Sequence, residues 1–387
     1  MFESKIEKFS VFRIFATHYN SQKMNLSKVK FDCKHFRGTI PCRPNKEHDV
    51  QCDNCSYYEK WEKHILIIKL GAMGDVIRTT PLVVKYRELY ENVHFSWLTE
   101  FPDVLPPSDI QDIMKPTAFN LEKIKSRKFD IAINLDKEEE ACRLLSKVHA
   151  DEKYGFTWRD GHLDAATPAA EHKIITGLFD HISIKNTKSY PEEIFEICHL
   201  NFNLEEYLLN YNKTIAEKWH GIFQGKAEGR KILGLNTGCG NRWLTRLWPN
   251  DYWVQLINLL DQDKILPVLL GGPQEDEKNQ WLAQQTNAWY PGTYSLEEFI
   301  SLTANLDAVV TQVSMMMHIA VGHKTPMVLM NNIFNKHEFE MYNRGVIVEP
   351  ESGCDCYYGN SCKRDRSCMF DLRPETVMNE INQLLKI

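Results

Sequence analysis

Several side chains in this 387-residue sequence are of types and spacings that can do chemistry. The first is Asp75, in the run His64-Ile65-Leu66-Ile67-Ile68-Lys69-Leu70-Gly71-Ala72-Met73-Gly74-Asp75. Gly71 and Gly74 let a backbone turn tightly and approach a ligand without a Cβ in the way. A carboxylate placed where such a turn meets a helix can accept a proton from an attacking hydroxyl, or simply cap the helix. A second set, Thr237-Gly238-Cys239-Gly240-Asn241-Arg242 with Arg246 beyond it, follows another apolar run. Hydroxyl, glycines and guanidinium forks suit phosphate oxygens, although either arginine alone could be a solvated surface residue. Glu275 could chelate vicinal hydroxyls or be a solvated turn residue. Ser314 and His318 flank the start of a helix, where free N–H groups attract a diphosphate, and a satisfied helical histidine is the plain alternative.

Cysteine supplies the remaining candidates. Cys33, Cys42, Cys52 and Cys55 fall within one short stretch that ends in a CxxC, and Cys354, Cys356, Cys362 and Cys368 form a later set. Four thiolates can enclose a structural Zn or Fe, so the first set is expected to form a small knuckle, with unpaired structural thiols as the alternative for the second. Neither set has an adjacent His or Asp arranged to activate a substrate. Cys142, Cys198 and Cys239 stand apart as small buried hydrophobes.

Stepping outward, the positioning elements are short aliphatic runs at 64–70, 93–99, 129–136, 231–237, 266–272, 307–312 and 327–331, separated by stretches of helical spacing. Alternation of this kind predicts an α/β fold with parallel sheets covered by helices on both faces. The pattern breaks over 203–229, where a polar helix over 205–223 and a Gly-rich loop predict a boundary. The expected parts are an N-terminal arm and cysteine knuckle (1–58), one doubly wound domain (59–224) and a second (225–387), with a ligand crevice between the two. The last helix, from Pro374, could pack on either domain.

Composition narrows the function. With 43% hydrophobic and 25% charged residues and a net charge of -6, the chain carries no broad basic field for nucleic acid. No apolar run reaches the roughly 18–20 residues that cross a bilayer. The expectation is a cytoplasmic enzyme, with peripheral association at the inner face of a membrane and oligomerisation left open. Residues 1–31 read as an amphipathic arm, a frayed tail or a misassigned start before Met24.

The string ILIIKLGAMGDVIRTTPL resembles the opening strand and loop of the family 9 glycosyltransferases, which include the lipopolysaccharide heptosyltransferases. That resemblance implies a GT-B architecture, two Rossmann-like domains facing a central cleft, with Asp75 as the catalytic base. NTGCGNRWLTRLWP is similar to the family's donor loop and assigns Thr237, Arg242 and Arg246 to the donor, Arg246 to its phosphate. GGPQE is similar to the family turn whose glutamate, here Glu275, binds the donor ribose, and Thr293 and Tyr294 stand at the base-binding position. TQVSMMMH keeps Ser314 and His318 of a third family element, but has Val313 in place of Asp and Met315 in place of Gly; its triple Met, with Met315 and Met316 at the donor, is either ordinary core filler or a pliable wall against the base. The partners implied are a nucleotide-diphosphate sugar, most closely ADP-heptose, and a glycan or protein acceptor, with no catalytic metal. Two rivals follow from the same residues: another enzyme on this architecture, such as an epimerase or phosphorylase, and a non-catalytic nucleotide-sugar-binding or assembly module.

Overall fold

The computed structural model describes residues 25–386, so most of the arm expected over 1–31 lies outside the described residues. The chain divides into two compact units, Met1–Trp61 and Glu62–Ile387. In the first, a 3-10 turn at Leu26–Lys28 and a helix at Arg43–His48 are joined by loops, and a single antiparallel bridge links Cys33 to Lys60. Among its described residues only Pro44 is buried.

The second unit holds two sheets. Strands β1 (Lys63–Ile68), β2 (Val93–Leu98), β3 (Asp112–Met114), β4 (Lys128–Asn134), β5 (His149–Arg159) and β6 (His162–Ala165) form the first, in the order β3-β2-β1-β4-β5-β6. All pairs are parallel except the β5–β6 hairpin. Strands β7 (Lys231–Asn236), β8 (Ile265–Leu270), β9 (Ala308–Gln312), β10 (Met327–Met330) and β11 (Gly345–Val348) form the second, wholly parallel and ordered β11-β10-β9-β7-β8. Period-2 alternation explains why both faces are apolar. In β1, Ile65 and Ile67 pack with Phe95, Trp97, Ile131 and Ile133, whereas Leu66 and Ile68 face Leu98, Ala132 and Leu145. In each sheet the first strand, β1 or β7, sits where strand order reverses, so the turns leaving β1 and β7 occupy the switch points at which doubly wound sheets bind ligands.

The final helix, Pro374–Leu385, packs Val377 and Ile381 with Trp248 and Trp253 on the second sheet. Between the lobes the chain departs from expectation. Helix begins only at Lys213 and runs to Ala227, and residues 203–211 form neither helix nor strand. The reason is that their polar groups are claimed elsewhere: Leu208 N–H donates to Thr80 Oγ1 (2.8 Å), Asn210 N–H to the Val104 carbonyl (3.0 Å), and Glu205 meets Lys85 (2.7 Å). Asn212 then caps the helix with its Oδ1, while its own N–H donates to Ser301 Oγ (3.0 Å) on the second lobe. Position 225 therefore lies inside this helix, whose Trp219 and Phe223 meet Tyr294 and Trp289. No helix among the described residues is long and apolar enough to cross a membrane.

Candidate active site

The turn after β1 is braced from below. Lys69, 5% exposed, donates to the Gly71 carbonyl (2.5 Å) and to Asp136, whose other oxygen accepts from the Leu70 N–H. Gly74 then presses on the second lobe: a Cβ there would overlap the His318 ring, so only glycine permits this approach. Asp75 lies in the short helix Met73–Ile77, with one oxygen 2.8 Å from an Arg78 nitrogen and the other accepting from the Ala72 N–H (3.2 Å). Its side chain keeps 31% of its accessible surface, so it is not turned into the core. Burial alone would raise its pKa, but the Arg78 cation, followed by Lys69, His318 and the Ala72 N–H, holds the carboxyl below the ordinary carboxylate range.

The turn after β7 is organised by Asn236, whose amide donates to the Gly238 carbonyl (2.9 Å), Thr311 Oγ1 (2.9 Å) and Ser314 Oγ (3.2 Å). Ser314 caps the helix Met315–His323 by accepting from the Met316 N–H (3.2 Å). Arg246 is 7% exposed, and its guanidinium donates to three backbone carbonyls, those of Trp243 (3.1 Å), Val313 and Cys239. No carboxylate forms a salt bridge with it among the described residues, and it lies near the rings of Trp243 and Phe334. Burial pulls its pKa down, yet a guanidinium stays charged at neutral pH. The result is a buried cation with no carboxylate partner among the described residues.

Two cavities open from these turns. One, of about 440 Å³, is lined by Gly238, Gly272, Glu275, Tyr294, Phe299 and Met316. The other, of about 350 Å³, is walled by both lobes and lined by Asp75, Arg78, Arg242, Arg246, His318 and Glu338. They share Cys239, Ser314 and Met315, so a ligand spanning both would cross the start of the helix Met315–His323.

Most of the sequence-derived candidates meet here. Glu275 points into the larger cavity, one oxygen accepting from the Gly272 N–H (2.9 Å) and the other lying over Gly238. Arg242 is exposed at the rim, stacked on Trp243 at 4.3 Å. His318 is 8% exposed, its Nδ1 has no hydrogen-bond partner among the described residues, and burial, then the Arg78 cation, pushes its pKa down to about 3, so it is neutral at neutral pH. Two candidates do not reach the cavities. The Thr237 side chain is enclosed, its hydroxyl donating to Asn279 Oδ1 (2.7 Å), and Thr293 is exposed outside the lining, while its neighbour Tyr294 provides the wall. The residues that sequence reasoning missed are Arg78 and Glu338. The first is visible only as a basic residue one helical turn after Asp75, and the second carries no sequence signal.

The cysteines behave differently from a ligand set. Cys33, Cys42, Cys52 and Cys55 line one cavity of about 350 Å³ in the first unit. Yet among the described residues no three His, Cys, Asp or Glu side chains converge so as to hold a metal ion. In the second set, Cys354 Sγ accepts from the Cys356 N–H (3.4 Å), Cys356 Sγ from the Lys363 N–H (3.1 Å), and Cys368 Sγ from the Asn332 amide (3.6 Å). Those sulfurs are satisfied within the fold as they stand.

Comparison with known proteins gives a consistent answer. Residues 120–347 match the family described as glycosyltransferase family 9 (heptosyltransferase). The lipopolysaccharide core heptosyltransferase OpsX of Haemophilus influenzae is 20% identical over 358 residues, 83% of this chain and 97% of its own length. A family 9 glycosyltransferase from Veillonella parvula superposes with a TM-score of 0.65 at 17% identity, covering 84% of this chain and 98% of that one. The ADP-heptose lipopolysaccharide heptosyltransferase II of E. coli superposes with a TM-score of 0.60 at 15% identity, over 84% and 98% of the two chains. At these identities the structural likeness is one of fold, the GT-B arrangement of two Rossmann-like lobes.

Proposed function

The chain belongs to glycosyltransferase family 9, and from that premise we propose that it transfers heptose from ADP-heptose to a hydroxyl of a surface glycan of the lipopolysaccharide type, with Asp75 as the general base. The observation that carries the proposal is the opposition of two groups across one cavity, an accessible carboxylate from the first lobe and a buried guanidinium, Arg246, from the second, with no carboxylate partner among the described residues. In the reaction, an acceptor oxygen forms a bond to the anomeric carbon as the bond from that carbon to the diphosphate oxygen breaks. Asp75 takes the proton of the attacking hydroxyl, and the electron pair of the broken bond leaves on the diphosphate. Arg246, Arg242 at the rim and the N–H groups at the start of Met315–His323 meet that charge. The larger cavity takes the nucleoside, its ribose on Glu275 and its base against Tyr294, Phe299 and Met316.

In this reading the first lobe binds the acceptor and the second the donor, in the cytoplasm at the inner face of the membrane. The cysteine sets have a structural role and no step is assigned to a metal. The low pKa direction of Asp75 has a chemical meaning: a weakened base is ionised throughout the neutral range but takes the proton late, as the new bond forms. The test is turnover of ADP-heptose with lipopolysaccharide-core acceptors by the native chain and by Asp75→Asn. Equal turnover removes Asp75 as the base, and turnover of a different nucleotide sugar alone removes the donor assignment.

A further inference from the structure

Arg78 and Glu338 are charged groups lining the interlobe cavity that the reaction above does not use. One terminal nitrogen of Arg78 lies 2.8 Å from Asp75 Oδ1, and the other lies 3.7 Å from Glu338 Oε2. The guanidinium plane sits 3.7 Å above the Tyr190 ring, whose hydroxyl is 3.2 Å from Thr79 Oγ1, so the first lobe fixes its face. Glu338 belongs to the second lobe, in the 3-10 turn Lys336–Glu338, and its other oxygen accepts from Tyr358 OH (2.5 Å). Tyr358 in turn donates its N–H to the Ile333 carbonyl (3.0 Å) and packs edge-on against Phe334. Glu338 is therefore held from its own side, by the loop that carries the second cysteine set. Nε of Arg78 is buried and has no partner among the described residues, so the guanidinium is held by its two ends and its face.

We propose that Arg78 is a positioning residue that ties the orientation of Asp75 to the approach of the second lobe through Glu338. The inference rests on Asp75 being the base. At 2.8 Å the Asp75 contact is a close ion pair, whereas 3.7 Å to Glu338 is a looser one, beyond hydrogen-bond range. An approach of the lobes by about 1 Å converts the second contact into a charge-assisted hydrogen bond. With both ends engaged, a planar fork has little freedom to rotate, and the carboxylate it holds is fixed with it. The charged and titratable groups facing Asp75 and Arg78 are Lys69, Tyr190, Tyr207, His318 and Glu338, so both lobes contribute to the field at the base.

The experiment measures kcat, KM for donor and acceptor, and the pH profile for the native chain, Arg78→Gln, Arg78→Lys, Glu338→Gln, the double variant and Asp75→Asn. Arg78→Gln is expected to lower kcat about 10- to 100-fold with little change in donor KM, as a misplaced reacting group does. Its acid limb moves to higher pH, because Asp75 loses the cation that favours its ionised form. Arg78→Lys restores the acid limb without restoring kcat, since a point charge keeps the field and loses the fork. Glu338→Gln lowers kcat and leaves the acid limb in place, and the double variant is no slower than Arg78→Gln alone, as expected for residues acting in one chain. Additive losses in the double variant, or an unmoved acid limb in a folded Arg78→Gln, overturn the proposal. If Arg78→Gln does not fold, native-like kcat in both Arg78→Lys and Glu338→Gln overturns it, and a kcat loss in each sustains it. Native turnover in Asp75→Asn removes the base assignment, whereas an inactive Asp75→Asn beside a native-like Arg78→Gln removes only this inference.

Discussion

The turns that leave β1 and β7 occupy equivalent switch points in two similar sheets, yet they are charged in opposite ways. The first ends in a carboxylate with cations around it, Arg78 at 2.8 Å and Lys69 beneath the loop. The second ends in a cation, Arg246, whose hydrogen bonds among the described residues go to the carbonyls of Trp243, Val313 and Cys239. The carboxylate of the first turn is matched by cations that the protein itself supplies. The second is incomplete and gains most from a ligand that brings negative charge. One architecture thus carries two opposite charge environments, set by the sign of one residue in each turn and by the groups around it.

The sharpest way to break this comparison is to remove the acid. Asp75→Ala is expected to lower turnover about 10²- to 10⁴-fold, the range of a lost general base. Donor affinity measured by calorimetry should be unchanged, and a parallel loss of donor binding would show that the two turns do not divide the work. Removing the cation tests the other half. Arg246→Gln should weaken donor binding by about 1.5–3 kcal/mol, the worth of a hydrogen bond to a charged group. A nucleoside lacking phosphate, titrated as a control, should bind both proteins alike.

A smaller effect probes the place where the turns meet. Gly74→Ala puts a methyl group into the His318 ring and is expected to cost about 1–3 kcal/mol of stability in urea unfolding, the usual cost of overpacking. His318→Ala in the same chain should recover part of it. The smallest expectation concerns pH. The folded-state pKa of His318 is about 3 against an ordinary 6.5, so the folded chain binds fewer protons than the unfolded one between those values. Its contribution to stability is full above pH 6.5 and declines as pH falls toward 3. His323 and His94, each pushed down to about 4 by burial, act in the same direction. Replacing His318 by Gln should therefore flatten the acid side of the stability profile without abolishing its slope.

How much of this could be read in advance varies with the physics of each element. The seven aliphatic runs mark buried parallel strands because such strands are apolar on both faces, as Ile65 to Ile68 illustrate. Strands β5 and β6 were not legible, since His149–Arg159 is half polar and its antiparallel partner covers it only locally. The polar segment 205–211 read as helix because spacing says nothing of Thr80, Val104 and Lys85, which claim its backbone and side chains from afar. Asp75 was legible through its glycine turn. Arg78 and Glu338 were not, because their meaning lies in a contact between residues 260 positions apart. Thr237 shows the reverse case: its place after a strand was legible, but not that its hydroxyl is enclosed and donates to Asn279 Oδ1.

The uncompensated guanidinium has a kinetic consequence. A charge fixed by three carbonyls is not switched off once the sugar has left, and in the proposed reaction the spent nucleotide is more negative than the donor that arrived. The by-product should therefore compete with fresh donor and be slow to leave, making its escape the step that paces each cycle.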